Sequence, residues 1–258
     1  MDLLNVKDLS IQFGGLKAVS DFNLSLKNNE LVAIIGPNGA GKTTVFNMLT
    51  GIYKPTSGDI TFDGKNMVGL KPNEFAKEGI ARTFQNIRLF NNVSVLDNIK
   101  IALHLKVDYD FKSALTRNKD FLKQEEEVEE KAFEMLKIFN LEKKAYLNAN
   151  NLPYGDQRRL EIARALTRDP KILLLDEPVA GMNPNEIDGV IELIKYIKER
   201  FNLSILLIEH HMNVVMSISD KIKVLDFGQT IADGLPEEIQ KNERVIQAYL
   251  GGGSKAHA

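Results

Sequence analysis

The chain has 258 residues, 43% hydrophobic and 26% charged, with a formal net charge of -2. That is the make-up of a soluble globular protein with a real core, large enough for one big domain or two small ones. The absence of cysteine excludes disulfides and thiolate chemistry, and the even charge balance excludes the basic surface of a general nucleic-acid binder.

No apolar run reaches the ~18 residues of a membrane span, and Met1–Asn5 lacks the basic-then-apolar pattern of a secretory signal. Any membrane role is therefore expected to run through a partner. Asp21–Leu26 alternates with period two, as a half-buried strand does. Leu31–Ile35 is a short apolar run that predicts a buried strand, and Val45–Leu49 predicts a helix. Ile60-Thr61-Phe62 predicts a strand that turns at Asp63-Gly64. From Asn92 to Asn151 the pattern is helical and rich in charge, opening on Ser94-Val95-Leu96-Asp97, a capping-box variant. Val128, Ala132, Met135, Leu136 and Phe139 share one helix face, and Glu125–Glu127, Glu129 and Glu130 read as its solvated side.

Alternation of strands and helices resumes at Lys171. Lys171–Leu175 and Ser204–Ile208 predict buried strands, with Ile187, Val190, Ile191, Ile194 and Ile197 forming a helix face between them. Lys221–Leu225 and Thr230–Ala232 flank Gly228, the pattern of a hairpin. Buried strands alternating with helices imply an α/β fold with a mainly parallel sheet covered on both faces, the helical stretch being an insertion into it.

Between the strand at Leu31–Ile35 and the helix at Val45–Leu49 lies Gly36-Pro37-Asn38-Gly39-Ala40-Gly41-Lys42-Thr43-Thr44. It fits G-x-x-x-x-G-K-[ST] in the required strand–loop–helix setting, which turns backbone N–H groups toward a phosphate chain. ATP is the expected ligand, with Lys42 on its β- and γ-phosphates and the Thr43 hydroxyl on Mg²⁺. The strand at Leu173–Leu175 runs into Asp176-Glu177-Pro178. Acids at the end of a buried strand sit where open α/β sheets bind ligands. Asp176 is placed to hold Mg²⁺ through its water shell, and Glu177 to orient and polarise an attacking water.

The stretch Leu152-Pro153-Tyr154-Gly155-Asp156-Gln157-Arg158-Arg159-Leu160-Glu161-Ile162-Ala163-Arg164-Ala165-Leu166 precedes those acids. With the order of motifs from Asp8 to Gly234, it resembles the ATP-binding subunits of ABC transporters. The resemblance implies a P-loop NTPase core of the ABC ATPase kind, with an N-terminal antiparallel β portion and an inserted helical subdomain. The implied division is a core lobe at 1–91 and 156–235, a helical insertion at 92–155 carrying the signature, a C-terminal helical segment at 236–250 and a flexible tail at 251–258. It further implies that Phe13 stacks on adenine, a contact of ~1–3 kcal/mol. Gln85 matches a loop that touches Mg²⁺ and water and relays the nucleotide state. Ala180–Asn183 matches a dimer-contacting loop, and His210 a switch histidine at the γ-phosphate. His211, His104 and His257 fit ordinary surface or satisfied histidines better.

In such proteins the signature of one subunit closes over the ATP of another. Here it reads Leu152-Pro153-Tyr154-Gly155-Asp156 in place of the common Leu-Ser-Gly-Gly-Gln/Glu. Pro153 offers neither hydroxyl nor N–H, and a hydrogen bond to a charged group is worth ~1.5–3 kcal/mol. The site that uses this signature is therefore expected to be weaker, a smaller handicap in a heterodimer than in a homodimer. The variant signature is similar to that of LivG-type ATPases of branched-chain amino acid importers. So are Asp176–Pro184, Ile208-Glu209-His210, Val245–Gly251, and Arg82–Phe90 followed by Val93–Ile99. This implies a peripheral subunit on the cytoplasmic face of the plasma (inner) membrane. Its partners would be membrane permease subunits, a second ATP-binding subunit and, indirectly, an external substrate-binding protein, with no nucleic acid. The rival readings are the ATPase of a lipid or lipopolysaccharide exporter, a soluble ABC-type ATPase acting on ribosomes or DNA, and a P-loop kinase of small metabolites.

Overall fold

The structure, a computed structural model, describes residues 2–104 and 118–251. Residues 105–117 of the expected helical stretch lie outside the described residues, as do residues 252–258 of the expected tail, including His257. In chain order the elements are β1 (Leu4–Phe13), β2 (Leu16–Leu26), β3 (Leu31–Ile35), α1 (Lys42–Met48), β4 (Ser57–Phe62), β5 (Lys65–Asn66), α2 (Pro72–Glu78) and β6 (Ile80–Arg82). Then come α3 (Val95–His104), α4 (Lys119–Ile138), α5 (Tyr154–Leu166), β7 (Ile172–Asp176), α6 (Pro184–Arg200), β8 (Ser204–Ile208), α7 (Met212–Ile218), β9 (Lys221–Asp226), β10 (Gln229–Gly234), α8 (Pro236–Gln240) and α9 (Glu243–Gly251). Gly251, expected to open the tail, instead ends α9.

Among the described residues the strands form two sheets. One is antiparallel, in the order β2-β1-β4-β5. In β2, Phe22, Leu24 and Leu26 are buried and the residues between them are exposed, so its period-two pattern has one buried face. Asp63 and Gly64 both take positive φ, the geometry that closes a two-residue hairpin between β4 and β5. The other sheet runs β10-β9-β3-β8-β7-β6, parallel throughout except for the β9–β10 hairpin at its edge. Every residue of β3, β7 and β8 is buried, which is why these strands read as continuous apolar runs. Phe22, Phe46, Phe62 and Phe75 belong to the core cluster that includes Ile34 of β3, Leu174 of β7 and Leu206 of β8.

The chain divides into two compact units, one made of the residues up to Arg82 and from Lys171 onward, the other of Thr83–Pro170. The second unit is wider on both sides than the expected insertion at 92–155. Its extra width has a physical source in α5. Arg158, fully buried, donates to the carbonyl oxygens of Phe84 (2.6 Å) and Gln85 (2.9 Å). Glu161 accepts from the backbone N–H of Phe84 (3.4 Å) and Arg88 (3.0 Å). These bonds tie residues 84–88 and the whole signature helix to the helical unit.

Within that unit Ser94 caps α3 as expected, its hydroxyl accepting from Asp97 N–H at 2.9 Å. Val128, Ala132, Leu136 and Phe139 are buried along one face. Glu126, Glu127 and Glu130 are exposed, while Glu129 pairs with Lys100 (3.0 Å) and Glu125 with His104 (2.9 Å). The acidic run is thus a solvated face with two cross-helix links to α3.

Leu206, in the middle of β8, is fully buried. Leu206→Ala is expected to destabilise the fold by about 2–5 kcal/mol, read from the midpoint and slope of a urea unfolding curve. A change below about 1 kcal/mol would mean that β8 is not the packed centre of the sheet.

Candidate functional site

The phosphate-binding loop leaves β3 at Gly36, which sits at φ +150; a Cβ there would lie 2.0 Å from the Leu225 carbonyl oxygen. No side chain fits that approach, so the glycine is required for β9 to close on the loop. Gly41 caps α1 in the left-handed region, at φ 100. Lys42 is 8% exposed and folds back over the loop, donating from Nζ to the carbonyl oxygens of Gly36 (2.8 Å) and Pro37 (3.0 Å). Burial lowers its ammonium below the ordinary lysine range, and Glu177 and Asp176 oppose that drop. Lys42 therefore shares one electrostatic environment with both acids.

Asp176 ends β7 as a buried carboxylate. Its Oδ2 accepts from Arg82 at 2.8 Å, and the same guanidinium donates to Asn47 Oδ1 (2.7 Å) and Thr50 Oγ1 (3.3 Å). Arg82 thereby braces β7 against α1, with Phe46 lying 5.5 Å below it. Glu177 follows at φ 47, a left-handed conformation that costs a glutamate of order 1–3 kcal/mol and is typical of functional positions. Its N–H donates to Ile208 O at 2.9 Å, locking the end of β7 to the end of β8. His210 emerges from β8 half exposed, with Nδ1 3.8 Å from Glu177 Oε2.

Phe13, at the end of β1, is 46% exposed and meets Tyr53 edge-on, with centroids 5.2 Å apart. The ring is thus large, exposed and held from one side by Tyr53. Asn183 at the end of the loop Ala180–Asn183 caps α6 in a box with Glu186 (3.1 and 2.9 Å).

Gln85 and Pro153–Asp156 belong to the helical unit, not to the core lobe. Pro153 is the N-cap of α5 and makes no side-chain cap bond; its carbonyl accepts from Gln157 N–H at 3.0 Å. Asp156 forms an ion pair with Lys144.

Sequence reasoning named Lys42, Thr43, Asp176, Glu177 and His210, and the structure brings them to one end of one sheet. It missed Arg82 as a partner of Asp176, and Glu209, fully buried, whose carboxylate receives N–H groups from two loops. It also set aside His211, whose Nδ1 lies 3.0 Å from Glu209 Oε2. Tyr249 of α9 was missed too: burial raises its hydroxyl above the usual phenol range, opposed by a hydrogen bond with the Gly36 backbone. The signals available in advance were two charged residues inside apolar runs, Arg82 and Glu209, which need partners if buried.

Residues 19–180 match the ABC transporter family, and residues 229–255 match the branched-chain amino acid ATP-binding cassette transporter family. The chain is 47% identical over 249 residues to the high-affinity branched-chain amino acid transport ATP-binding protein BraF of Pseudomonas aeruginosa, covering 96% of this chain and 98% of that protein. Identity and coverage are the same for LivG of Escherichia coli K12, which carries the same description. A crystal structure of the ADP conformation of an ATP-binding cassette of an ABC transporter superposes with a TM-score of 0.85 at 31% identity, covering 97% of this chain and 99% of that one. The chain belongs to the ABC transporter family: it is a nucleotide-binding ATPase subunit that hydrolyses ATP to drive transport. Within the family it stands with the branched-chain amino acid transport ATP-binding proteins of the LivG and BraF type. As such a subunit it works with permease partners and is associated with a membrane through them. None of its described helices is long and apolar enough to cross one.

Removing Arg82 would leave the Asp176 carboxylate buried without that cation. Arg82→Ala is expected to cost about 3–5 kcal/mol of stability, and Arg82→Lys less, both measured by calorimetric or denaturant unfolding. Equal stability of the alanine variant and the wild type would show that the pair contributes nothing to the fold.

Proposed function

We propose that this chain powers high-affinity import of branched-chain amino acids. It would dock from the cytoplasmic face of the plasma (inner) membrane on permease subunits and bind Mg²⁺-ATP between its core lobe and a second ATP-binding subunit. The observation that carries the site assignment is the convergence of three neighbouring parallel strands. β3 delivers Lys42 through its loop, β7 delivers Asp176 and Glu177, and β8 delivers His210. Ligands of open α/β sheets bind at such carboxyl ends. The cargo assignment rests on the match at residues 229–255 and on the BraF and LivG similarity, which spans nearly the whole chain.

The donors present suit Mg²⁺, a hard cation that takes oxygen ligands and keeps several waters. The buried Asp176 carboxylate and the Thr43 hydroxyl are such donors, and the resemblance adds Gln85. Bound there, Mg²⁺ would neutralise charge developing on the phosphoryl oxygens. Lys42 supplies a fixed positive charge to the β- and γ-phosphates, and the backbone N–H groups of residues 38–44 cradle them. Phe13 stacks on the adenine. Glu177 accepts the proton of the attacking water, and His210, beside it, holds that water and the γ-phosphate in line. Cleavage is then a matter of positioning and of charges already in place.

Pro153, Tyr154, Gly155 and Asp156 would face the triphosphate held by the second subunit. With no hydroxyl at Pro153, the interface favours a heterodimer, in which the ATP bound by this chain meets the partner's signature. A homodimer would place this weaker signature over both nucleotides.

Glu177→Gln is expected to lower ATP turnover by ~10²–10⁴-fold while ATP still binds; hydrolysis at the wild-type rate would refute the role given to Glu177. Lys42→Ala should abolish tight ATP binding, and unchanged affinity by calorimetry would count against the loop assignment. Deleting the gene should abolish uptake of leucine or isoleucine. Normal uptake of both would overturn the cargo.

A further inference from the structure

The geometry points to Glu209 as a positioning residue for hydrolysis: one buried carboxylate holds the loops that carry Glu177 and His210 in a fixed relation. This rests on the roles proposed above for those two residues.

Glu209 is the first residue beyond β8 and is 0% exposed. A carboxylate in such a place is costly unless donors surround it. Its two oxygens are divided between two chain segments. Oε1 accepts from the backbone N–H of Val179, at 3.3 Å, in the turn that begins at Glu177. Oε2 accepts from the backbone N–H of His210 (2.9 Å) and His211 (3.1 Å), and His211 Nδ1 lies 3.0 Å from the same oxygen. The donors come from the loop after β7 and the loop after β8, which are far apart in sequence and adjacent in the sheet.

The backbone around Glu177 is pinned at three points. Glu177 N–H donates to Ile208 O (2.9 Å), Ala180 N–H donates to Glu177 O (3.2 Å), and Val179 N–H donates to Glu209. The strained φ of 47 at Glu177 needs such over-determination to persist. On the other side, the N–H of His210 points at the same carboxylate, and the His211 ring packs 4.2 Å from the His210 ring, centroid to centroid. Glu209 thus holds the backbone on both sides of the 3.8 Å separation between His210 Nδ1 and Glu177 Oε2, its own Oε2 lying 3.9 Å from His210 Nδ1.

A group with this role affects the chemical step more than binding. Displacing a catalytic group by about 1 Å costs on the order of 10²-fold in rate, whereas the phosphate loop that binds ATP makes none of these bonds. The test uses the full chain reconstituted with its permease subunits. Glu209→Ala is expected to lower kcat for ATP by about 10²-fold, with KM and calorimetric ATP affinity within about twofold of wild type. Glu209→Gln keeps one acceptor oxygen, so it should fold even where the alanine variant does not. Its kcat should lie between those of the alanine variant and wild type, several-fold below the latter, again with ATP affinity unchanged. Wild-type kcat in Glu209→Gln overturns the inference. So does a loss of kcat that tracks a loss of ATP affinity, because that is the mark of general structural damage. His210→Ala is the reference. If it retains full turnover, the proposed site roles themselves fail; if it is inactive while both Glu209 variants turn over normally, only the role of Glu209 fails.

Discussion

Ile208 is in register with Ile34 on one side and with Asp176 on the other. That alignment of β3, β8 and β7 is the constraint from which the site follows. Three parallel strands end at one level, so the segments leaving them have to share one small region. The strands are buried on both faces, and a slip of two residues would have to expose or unpair an entire central strand. A slip of one would reverse which side chains face which layer. The register is thus held by the whole apolar core, and the site inherits its rigidity from packing remote from the chemistry.

Charges inside that region are arranged to offset one another. Arg82 faces Asp176, the loop's own carbonyls and the field of two acids surround Lys42, and N–H groups surround Glu209. Each of these would be expensive alone in a low-dielectric setting. Together they form a set of dipoles and charges held by the protein's own hydrogen bonds, the kind of fixed arrangement that stabilises developing charge with little reorganisation. The same logic accounts for strain at Glu177: the backbone there is expensive, and neighbouring hydrogen bonds keep it in place.

What the sequence discloses and what it hides divide along physical lines. Continuous apolar runs revealed β3, β7 and β8, because parallel strands covered on both faces need no polar side. The loop at Gly36–Thr44 was legible because backbone approach to an anion demands glycines at fixed spacing. β1 drew no prediction: register shifts near Leu9 and Ile11 interrupt its alternation. β6 is three residues long, below the reach of any periodicity. The compact helical unit extends past the expected 92–155, and Arg158 and Glu161, bonding to residues more than seventy positions away, join its two edges. Arg82, Glu209 and His211 were not legible in the sequence. Their importance is a matter of which distant group each one meets.

Arg158 and Glu161 also fix how α5 is joined to the segment around Gln85. α5 begins at Tyr154, and one and two turns along it presents a guanidinium and a carboxylate that bind the backbone on both sides of Gln85. Four hydrogen bonds to main chain leave residues 84–88 little freedom relative to α5. Gln85 and the start of α5 are therefore held as one body within the helical unit. Pro153 takes no part in those bonds. Pro153 therefore alters the first turn of α5 without touching the bonds that hold residues 84–88.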